Sequence, residues 1–314
     1  MNPYPYSVII PSVGRKSLLR AVTSVITQTI PPQEVIVVGH NLPKTDLLNL
    51  DFPGLRIIET LVPQAAGKNR QDGTSLVQTP YIAYLDDDDY WLPEKTEKQF
   101  EIMSGDQDLI LYNCRARIKS NFGEFDWPRK LIKENVSVIE YLFGDINFMP
   151  GDRFFPTTGY FMKTDIALKL GWQEIEHDDW DFIFRAQAEG MKFVMHADTL
   201  VVIDQRGSGS SRSGSNPWPS RFLTMHSQQM TREELRNFLA GVTLQRALNS
   251  GSWLAVLKTL IKILELGFWK KSTLVAMIRV LRIRNVFRIR KIYLRSWSEN
   301  IFKAFDSGTT FKKS

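Results

Sequence analysis

Residues 81–93 read Y-I-A-Y-L-D-D-D-D-Y-W-L-P. An apolar run of strand length, 81–85, passes directly into Asp86, Asp87, Asp88 and Asp89. A short apolar run bounded in this way reads as a buried strand, and Pro93 reads as the start of a helix. The four acids therefore stand at a strand's end. Packing like charges there costs repulsion unless a cation or solvent screens them. Hard carboxylate oxygens suit Mg²⁺ or Mn²⁺, which such sites share with substrate phosphates. A solvated acidic turn that caps the following helix is the plainer alternative. The buried strand before the acids and Trp91-Leu92-Pro93 after them favour the ligand site.

Working outward, the first 110 residues alternate strand and helix patterns. Strands are predicted at 7–11, 34–38, 55–59 and 108–112, besides 81–85. Leu18, Leu19, Val22, Val25 and Ile26 recur at helical spacing, which predicts a helix over 15–29 that Pro31-Pro32 ends. A second helix is predicted over 64–77. This alternation implies an α/β fold whose mostly parallel sheet carries helices on both faces. Ligands of such sheets bind beyond the strands' carboxyl ends. Two ends carry unusual chemistry: Ser12-Val13-Gly14-Arg15 and Asp86–Asp89. Further on, 163–170 and 179–189 read as helices, 193–203 as one or two strands, and 206–220 as a Gly/Ser-rich loop. Glu176-His177-Asp178-Asp179-Trp180-Asp181 opens a helix, where acids favour the dipole. One of these carboxylates can also take a proton from an acceptor hydroxyl.

In order and spacing these pieces resemble the family 2 glycosyltransferases of the GT-A fold. Residues 7–29, S-V-I-I-P-S-V-G-R through Gln28-Thr29, are similar to their first strand and helix, with Ser12 where Thr is usual. Arg70-Gln71-Asp72-Gly73 resembles their R-N-x-G motif. Asp86 and Asp88 match the D-x-D acids, and Asp178-Asp179-Trp180-Asp181-Phe182 resembles E-D-W-D-L. The resemblance spans about residues 6–205. It implies a Rossmann-like nucleotide-diphospho-sugar transferase fold and an inverting, metal-dependent transfer from a nucleotide-sugar to an acceptor hydroxyl. Asp88 would ligate Mn²⁺ or Mg²⁺, and Asp86, with neighbouring Asp87, would contact the nucleotide or support the metal. Pro11, Ser12 and Arg15 would line the nucleotide site. Arg70 would face the base or diphosphate, and Asp179 would be the general base.

One departure concerns the base. The family's second strand usually ends in an acidic pair whose second member reads uracil. This chain has Gly39-His40-Asn41. Imidazole donates from one nitrogen and accepts at the other when neutral. UDP-sugar remains the first expectation, with GDP, TDP or CDP open. A non-catalytic relative that binds nucleotide-sugar or glycan, or scaffolds a membrane complex, is the alternative. A nucleotidyltransferase is disfavoured, since no Gly-rich basic loop follows the first strand.

The chain has 314 residues with 43% apolar and 24% charged, which excludes disorder and a disulfide-stapled mini-protein. Its single cysteine, Cys114, points to a reducing, cytoplasmic compartment. No secretory signal pattern or uninterrupted spanning run is visible. The net charge of +6 is uneven. Residues 270–314 hold 12 Lys and Arg against Glu299 and Asp306. Trp253, Val256, Leu257, Leu260, Ile261 and Leu264 are predicted on one helical face, and Arg284, Arg288, Lys291 and Arg295 form a later basic stripe. Such helices suit the surface of an anionic membrane, here its inner face. Packing on protein is the alternative, and an oligomer is left open. No nucleic-acid motif accompanies the charge, so nucleic acid is not expected as a partner. The expected organisation is a catalytic domain over 1–220 and a basic helical extension over 221–314. The expected acceptor is a glycan or lipid-linked saccharide. His177 and His196 as metal ligands, Trp91 and Trp180 as sugar platforms, and a lid at 207–215 carrying Arg212 are weighed against packing or linker roles.

Overall fold

A computed structural model describes residues 5–103, 109–121, 123–144, 152–206, 218–267, 270–274 and 276–278. Nine strands form one sheet: β1 (Tyr6–Ser12), β2 (Glu34–Gly39), β3 (Leu55–Glu59), β4 (Tyr81–Tyr84), β5 (Tyr90–Trp91), β6 (Ile110–Ser120), β7 (Gly123–Trp127), β8 (Phe161–Lys163) and β9 (Lys192–Asp204). Eleven α-helices are present among the described residues. They are α1 (Leu18–Ile26), α2 (Lys44–Leu48), α3 (Ala66–Thr74), α4 (Lys95–Glu101), α5 (Val138–Phe143), α6 (Thr164–Leu170), α7 (Asp178–Ala188), α8 (Ser220–His226), α9 (Arg232–Phe238), α10 (Leu244–Asn249) and α11 (Trp253–Glu265).

The strand order is β3-β2-β1-β4-β8-β6-β9-β5, with β7 on β6. Strands β3, β2, β1 and β4 run parallel, as the alternating pattern predicts. The strand expected at 108–112 does not extend this series. It is β6, and β8 lies antiparallel between it and β4. The second half of the sheet is therefore mixed, with β6 and β9 parallel and β5 and β7 antiparallel to their neighbours. Every residue of β1 is buried, which explains its continuous apolar run. Burying each such aliphatic side chain contributes about 1.5–3 kcal/mol.

Helix α1 buries Leu18, Ala21, Val22 and Val25, so the spacing seen in the sequence is its core face. It starts later than predicted because Gly14 turns the chain at φ 76° and Arg15 is drawn toward the aspartates. Helix α3 lies close on β1 and β2 at Gly73. A Cβ there would come 2.7 Å from Ile9 and 3.2 Å from Val38, so the glycine of the R-Q-D-G stretch permits this packing.

The chain divides into two compact units, 1–235 and 236–314. Helix α8 belongs to the first, so this division lies beyond the boundary expected near 220. In the second unit, Arg236 is buried and donates to Ser272 Oγ at 2.6 Å and to the Leu266 carbonyl at 3.1 Å. Helix α11 packs on α10 through Ala255, Val256, Thr259 and Ile263. Of the residues predicted on one apolar face, Trp253, Leu257, Ile261 and Leu264 are exposed together, whereas Val256 is buried. Among the described residues no helix is long and apolar enough to cross a membrane. The loop at 207–215 with Arg212, and the basic stripe from Arg284 to Arg295, lie outside the described residues.

Candidate active site

Ser12 pairs with Gly39 and Ile9 with Tyr84, so the carboxyl ends of β1, β2 and β4 lie side by side. The order β2-β1-β4 makes the gap between β1 and β4 a topological switch point, where ligands of such sheets bind. The aspartates emerge there.

The four carboxylates have different surroundings. Asp87 is buried. It accepts from Ser12 Oγ at 2.6 Å, Arg15 Nη1 at 2.5 Å and the Val13 N–H at 3.3 Å. It thus holds the loop after β1, the backbone of which continues from Pro11 through Ser12. Asp88 is the most exposed of the ion-paired acids at this loop, with 43% of its side chain accessible, and accepts from Arg15 Nη1 at 3.1 Å. Burial pushes the Asp88 carboxyl up, and the charge of Asp86 adds to the shift, outweighing Arg15. Asp89 is buried, accepts from the Asp204 N–H at 3.2 Å and is pushed well up by burial.

Arg70 unites two sequence motifs. Its Nη2 donates to Asp86 Oδ1 at 2.6 Å and its Nη1 to Asp178 Oδ2 at 2.9 Å. The guanidinium is buried and lies 4.8 Å from the Trp172 ring centroid. Burial works against its charge, but Asp86 and Asp178 overcome this and keep it protonated. Burial pushes Asp178 up, against the pull of Arg70.

Asp178, Asp179 and Asp181 occupy the first turn of α7, where the helix dipole favours carboxylates. Asp179 acts electrostatically on both Arg70 and Tyr160, and the Tyr160 hydroxyl donates to its backbone carbonyl at 3.4 Å. Fold and ion pairs thus bring Ser12, Arg15, Arg70, Asp86, Asp88 and the start of α7 around one crevice.

His40 follows β2 directly. Gly39 has no room for a Cβ, because the Ser12 carbonyl of β1 occupies that space. His40 Nδ1 lies 2.8 Å from the Thr60 carbonyl. A carbonyl oxygen only accepts, so Nδ1 carries a proton, and in a neutral ring Nε2 is then the acceptor. Glu59 Oε1 lies 3.9 Å from Nδ1. That carboxylate caps the turn after β2, accepting from the Asn41 N–H at 2.7 Å and the Leu42 N–H at 3.3 Å.

Of the side chains weighed between ligand and packing roles, Trp91 is the one the structure buries. It donates to the Thr158 carbonyl at 2.8 Å and carries Lys95 Nζ 3.6 Å from its ring centroid. His177, at φ 59°, stacks on Trp180 at 4.7 Å, and Trp180 meets Phe143 edge-on at 5.3 Å. His196 Nδ1 accepts from the Asp198 N–H at 3.0 Å.

The residues at the crevice suit a divalent cation in their donor chemistry. Asp86 and Asp88 supply hard oxygens, and their mutual repulsion is what a cation relieves. Among the described residues no group of three or more His, Cys, Asp or Glu could hold a metal alone.

The sequence profile of glycosyl transferase family 2 matches residues 7–168, just over half of the chain. The chain belongs to glycosyl transferase family 2. It is 28% identical over 218 residues to the amylovoran biosynthesis glycosyltransferase AmsB of Erwinia amylovora, covering 64% of this chain and 70% of that one. It is 28% identical over 137 residues to WfgD of Escherichia coli, a UDP-Glc:alpha-D-GlcNAc-diphosphoundecaprenol beta-1,3-glucosyltransferase, covering 42% of this chain and 54% of that one. In structure it is similar to S. aureus TarS residues 1–349 in complex with UDP-GlcNAc. The TM-score is 0.61 at 12% identity, covering 92% of this chain and 93% of the other. This likeness shows the GT-A fold. The protein is thus a glycosyltransferase, and the non-catalytic alternative is set aside.

The sequence reading missed several residues of this glycosyltransferase. Trp172 stacks on Arg70 without any motif to mark it. Arg20 donates to the Asp88 carbonyl at 2.7 Å and to Asp204 at 3.0 Å from a helix face that reads as solvent. Asp181 is fully buried, accepting from Arg185 at 2.7 Å and lying 2.8 Å from His226 Nε2. Only Asp181 had a signal, as the last acid of the D-D-W-D stretch.

Proposed function

We propose that the chain transfers a glycosyl group, with inversion, from a uridine diphosphate sugar to a hydroxyl of a lipid-linked saccharide or related surface-polysaccharide precursor. The observation that carries this is the Arg70 bridge. One buried guanidinium places Asp86, at the end of β4, beside the acidic start of α7. A donor-binding acid and an acceptor-side acid are thereby brought to one crevice.

In this reading Asp179 takes the proton from the acceptor hydroxyl. The acceptor oxygen then forms a bond to the anomeric carbon as the bond from that carbon to the diphosphate oxygen breaks, and the nucleoside diphosphate leaves. Asp88, supported by Asp86, would hold Mn²⁺ or Mg²⁺, which supplies charge to the leaving diphosphate. Arg15 and Arg70 add positive charge at the same crevice, while Asp87 and Ser12 hold the loop that carries Arg15. His40 is compatible with uridine: its Nε2 can accept the N3–H of uracil or thymine, and equally the N1–H of guanine. Cytosine has no N3–H to give. WfgD, by its name, uses UDP-Glc and a diphosphoundecaprenol-linked acceptor, which supports both substrate classes. The catalytic role is assigned to the first unit, 1–235. The basic C-terminal region beyond 235 keeps the enzyme at the inner membrane face, where a lipid-linked acceptor lies.

The test is a thermal-shift panel of UDP, GDP, TDP and CDP, with Mn²⁺ or with EDTA, on wild type and Asp88→Asn. A ligand that binds the native state raises the melting temperature. UDP should stabilise the wild type only with metal, CDP should not, and Asp88→Asn should remove the effect. Equal shifts with CDP would sink the uridine assignment. Equal shifts with EDTA would sink the metal's role.

A further inference from the structure

Helix α11 has two apolar faces. One packs on α10 through Ala255, Val256, Thr259 and Ile263. The other carries Trp253, Leu254, Leu257, Ile261 and Leu264, which are 62%, 77%, 56%, 48% and 43% exposed. At about 100° per residue these five side chains span roughly 100° of the helix, on the side away from the packed face. These five side chains form one contiguous stripe rather than scattered surface apolarity.

Charge and area indicate what covers it. Lys258 borders the stripe, Lys262 is paired with Glu265 at 2.9 Å, Lys270 and Lys271 follow, and Glu265 is the one acid from 253 to 278. Lysine is depleted in protein–protein interface cores. Beside an apolar stripe it suits anionic lipid, because its stem lies on the apolar surface while the ammonium reaches the headgroups. The stripe is also small for a protein partner. A 13-residue helix is about 20 Å long and about 10 Å wide, or about 200 Å² on one face. A standard interface buries about 800 Å² per partner. An interfacial helix needs only its own apolar face. The further basic residues of 279–314 add the same sign of charge.

We infer that the outward stripe of α11 is the surface by which this glycosyltransferase lies on an anionic bilayer. The inference rests on the membrane location proposed above and names the face responsible. Trp253 and Leu254 lie at the start of the helix and Leu264 near its end, so the whole helix lies in the plane of the interface.

The experiment is co-sedimentation of the full chain with phosphatidylglycerol–phosphatidylethanolamine vesicles and with pure phosphatidylcholine vesicles. Wild type should pellet with the anionic vesicles and not with the zwitterionic ones. Leu257→Glu/Ile261→Glu should bind at least roughly tenfold more weakly, with melting temperature and UDP-induced stabilisation unchanged. Trp253→Ala, at the exposed helix start, gives a second readout in the same direction should the double variant lose its fold. Wild type that fails to pellet overturns the membrane location itself. A double variant that pellets like wild type overturns this face and leaves the basic tail as the anchor. Light scattering that shows a wild-type dimer, dissolved by the double variant, assigns the stripe to a second copy of the chain and also overturns the inference. The UDP shift, read separately, tells whether the glycosyltransfer reading stands.

Discussion

Arg70 and Asp178 are 108 residues apart in the chain and joined by a 2.9 Å hydrogen bond. The same guanidinium holds Asp86 at 2.6 Å. The bridge is planar and two-armed, which an ammonium cannot reproduce. Arg70→Lys should therefore lower kcat/KM by about 100-fold or more, through misplacement of both acids. Arg70→Ala, which leaves the two carboxylates without their partner, should cost about 3–5 kcal/mol of stability. Steady-state kinetics and urea unfolding measure the two effects. An Arg70→Lys enzyme with unchanged kcat/KM would show that the bridge is not needed for turnover.

Asp179→Asn separates chemistry from binding. The amide cannot take the acceptor proton, so kcat should fall by about 10²–10⁴. Donor affinity should hold, because the residues proposed for the nucleotide stand at the ends of β1, β2 and β4. Calorimetric titration with UDP and Mn²⁺, beside single-turnover kinetics, checks both. A matching loss in Asp178→Asn with no loss in Asp179→Asn would move the base by one residue.

Asp181 is fully buried between Arg185 and His226. Burial works against its charge, but His226 and Arg185 outweigh it and hold the carboxyl below its ordinary range. A depressed carboxylate stabilises the fold above its unfolded pKa, about 3.9, and loses that contribution as pH falls through the folded value. Asp181→Asn should cost about 3–5 kcal/mol at pH 7. The gap between variant and wild type should narrow below about pH 4, where the unfolded carboxyl protonates. Urea midpoints at neutral and acid pH give the comparison.

Lys95 is fully buried, and burial lowers its pKa from 10.5 to about 7. Between these values the unfolded chain binds a proton that the folded chain does not, so stability rises with pH. Burial pushes the Cys114 thiol from 9.0 to about 12 and acts in the opposite sense above pH 9. The clean window is therefore pH 7 to 9. Lys95→Met should raise stability at pH 7 by about 1–3 kcal/mol and flatten the rise across that window. Denaturant melts at several pH values test it. A variant less stable than wild type at pH 7 would show that the ammonium's contact with the Trp91 ring outweighs its desolvation.

Much of the site was legible because its pieces sit at strand ends, and strand ends follow from local pattern. The apolar runs of β1 and β4 break into Ser12–Arg15 and Asp86–Asp89, and a parallel sheet brings those breaks together. The outward stripe of α11 illustrates the opposite case. Its apolar residues were evident at helical spacing, but the periodicity of α11 holds two apolar faces. Which of them packs depends on where α10 lies. Likewise Trp172 and His226 carry no motif, since their roles exist only beside Arg70 and Asp181.

The amino-acid order alone determined the βα alternation, the acidic strand end and the family of this protein. Those features are encoded in local periodicity and in residue types at fixed spacing. Tertiary structure decided that Asp87 binds the β1 loop while Asp86 joins Asp178. It also set the acceptor nitrogen of His40 and inserted β8 between β4 and β6. Each of these depends on a partner distant in sequence, supplied by strand pairing and burial, and no local pattern records which partner that is.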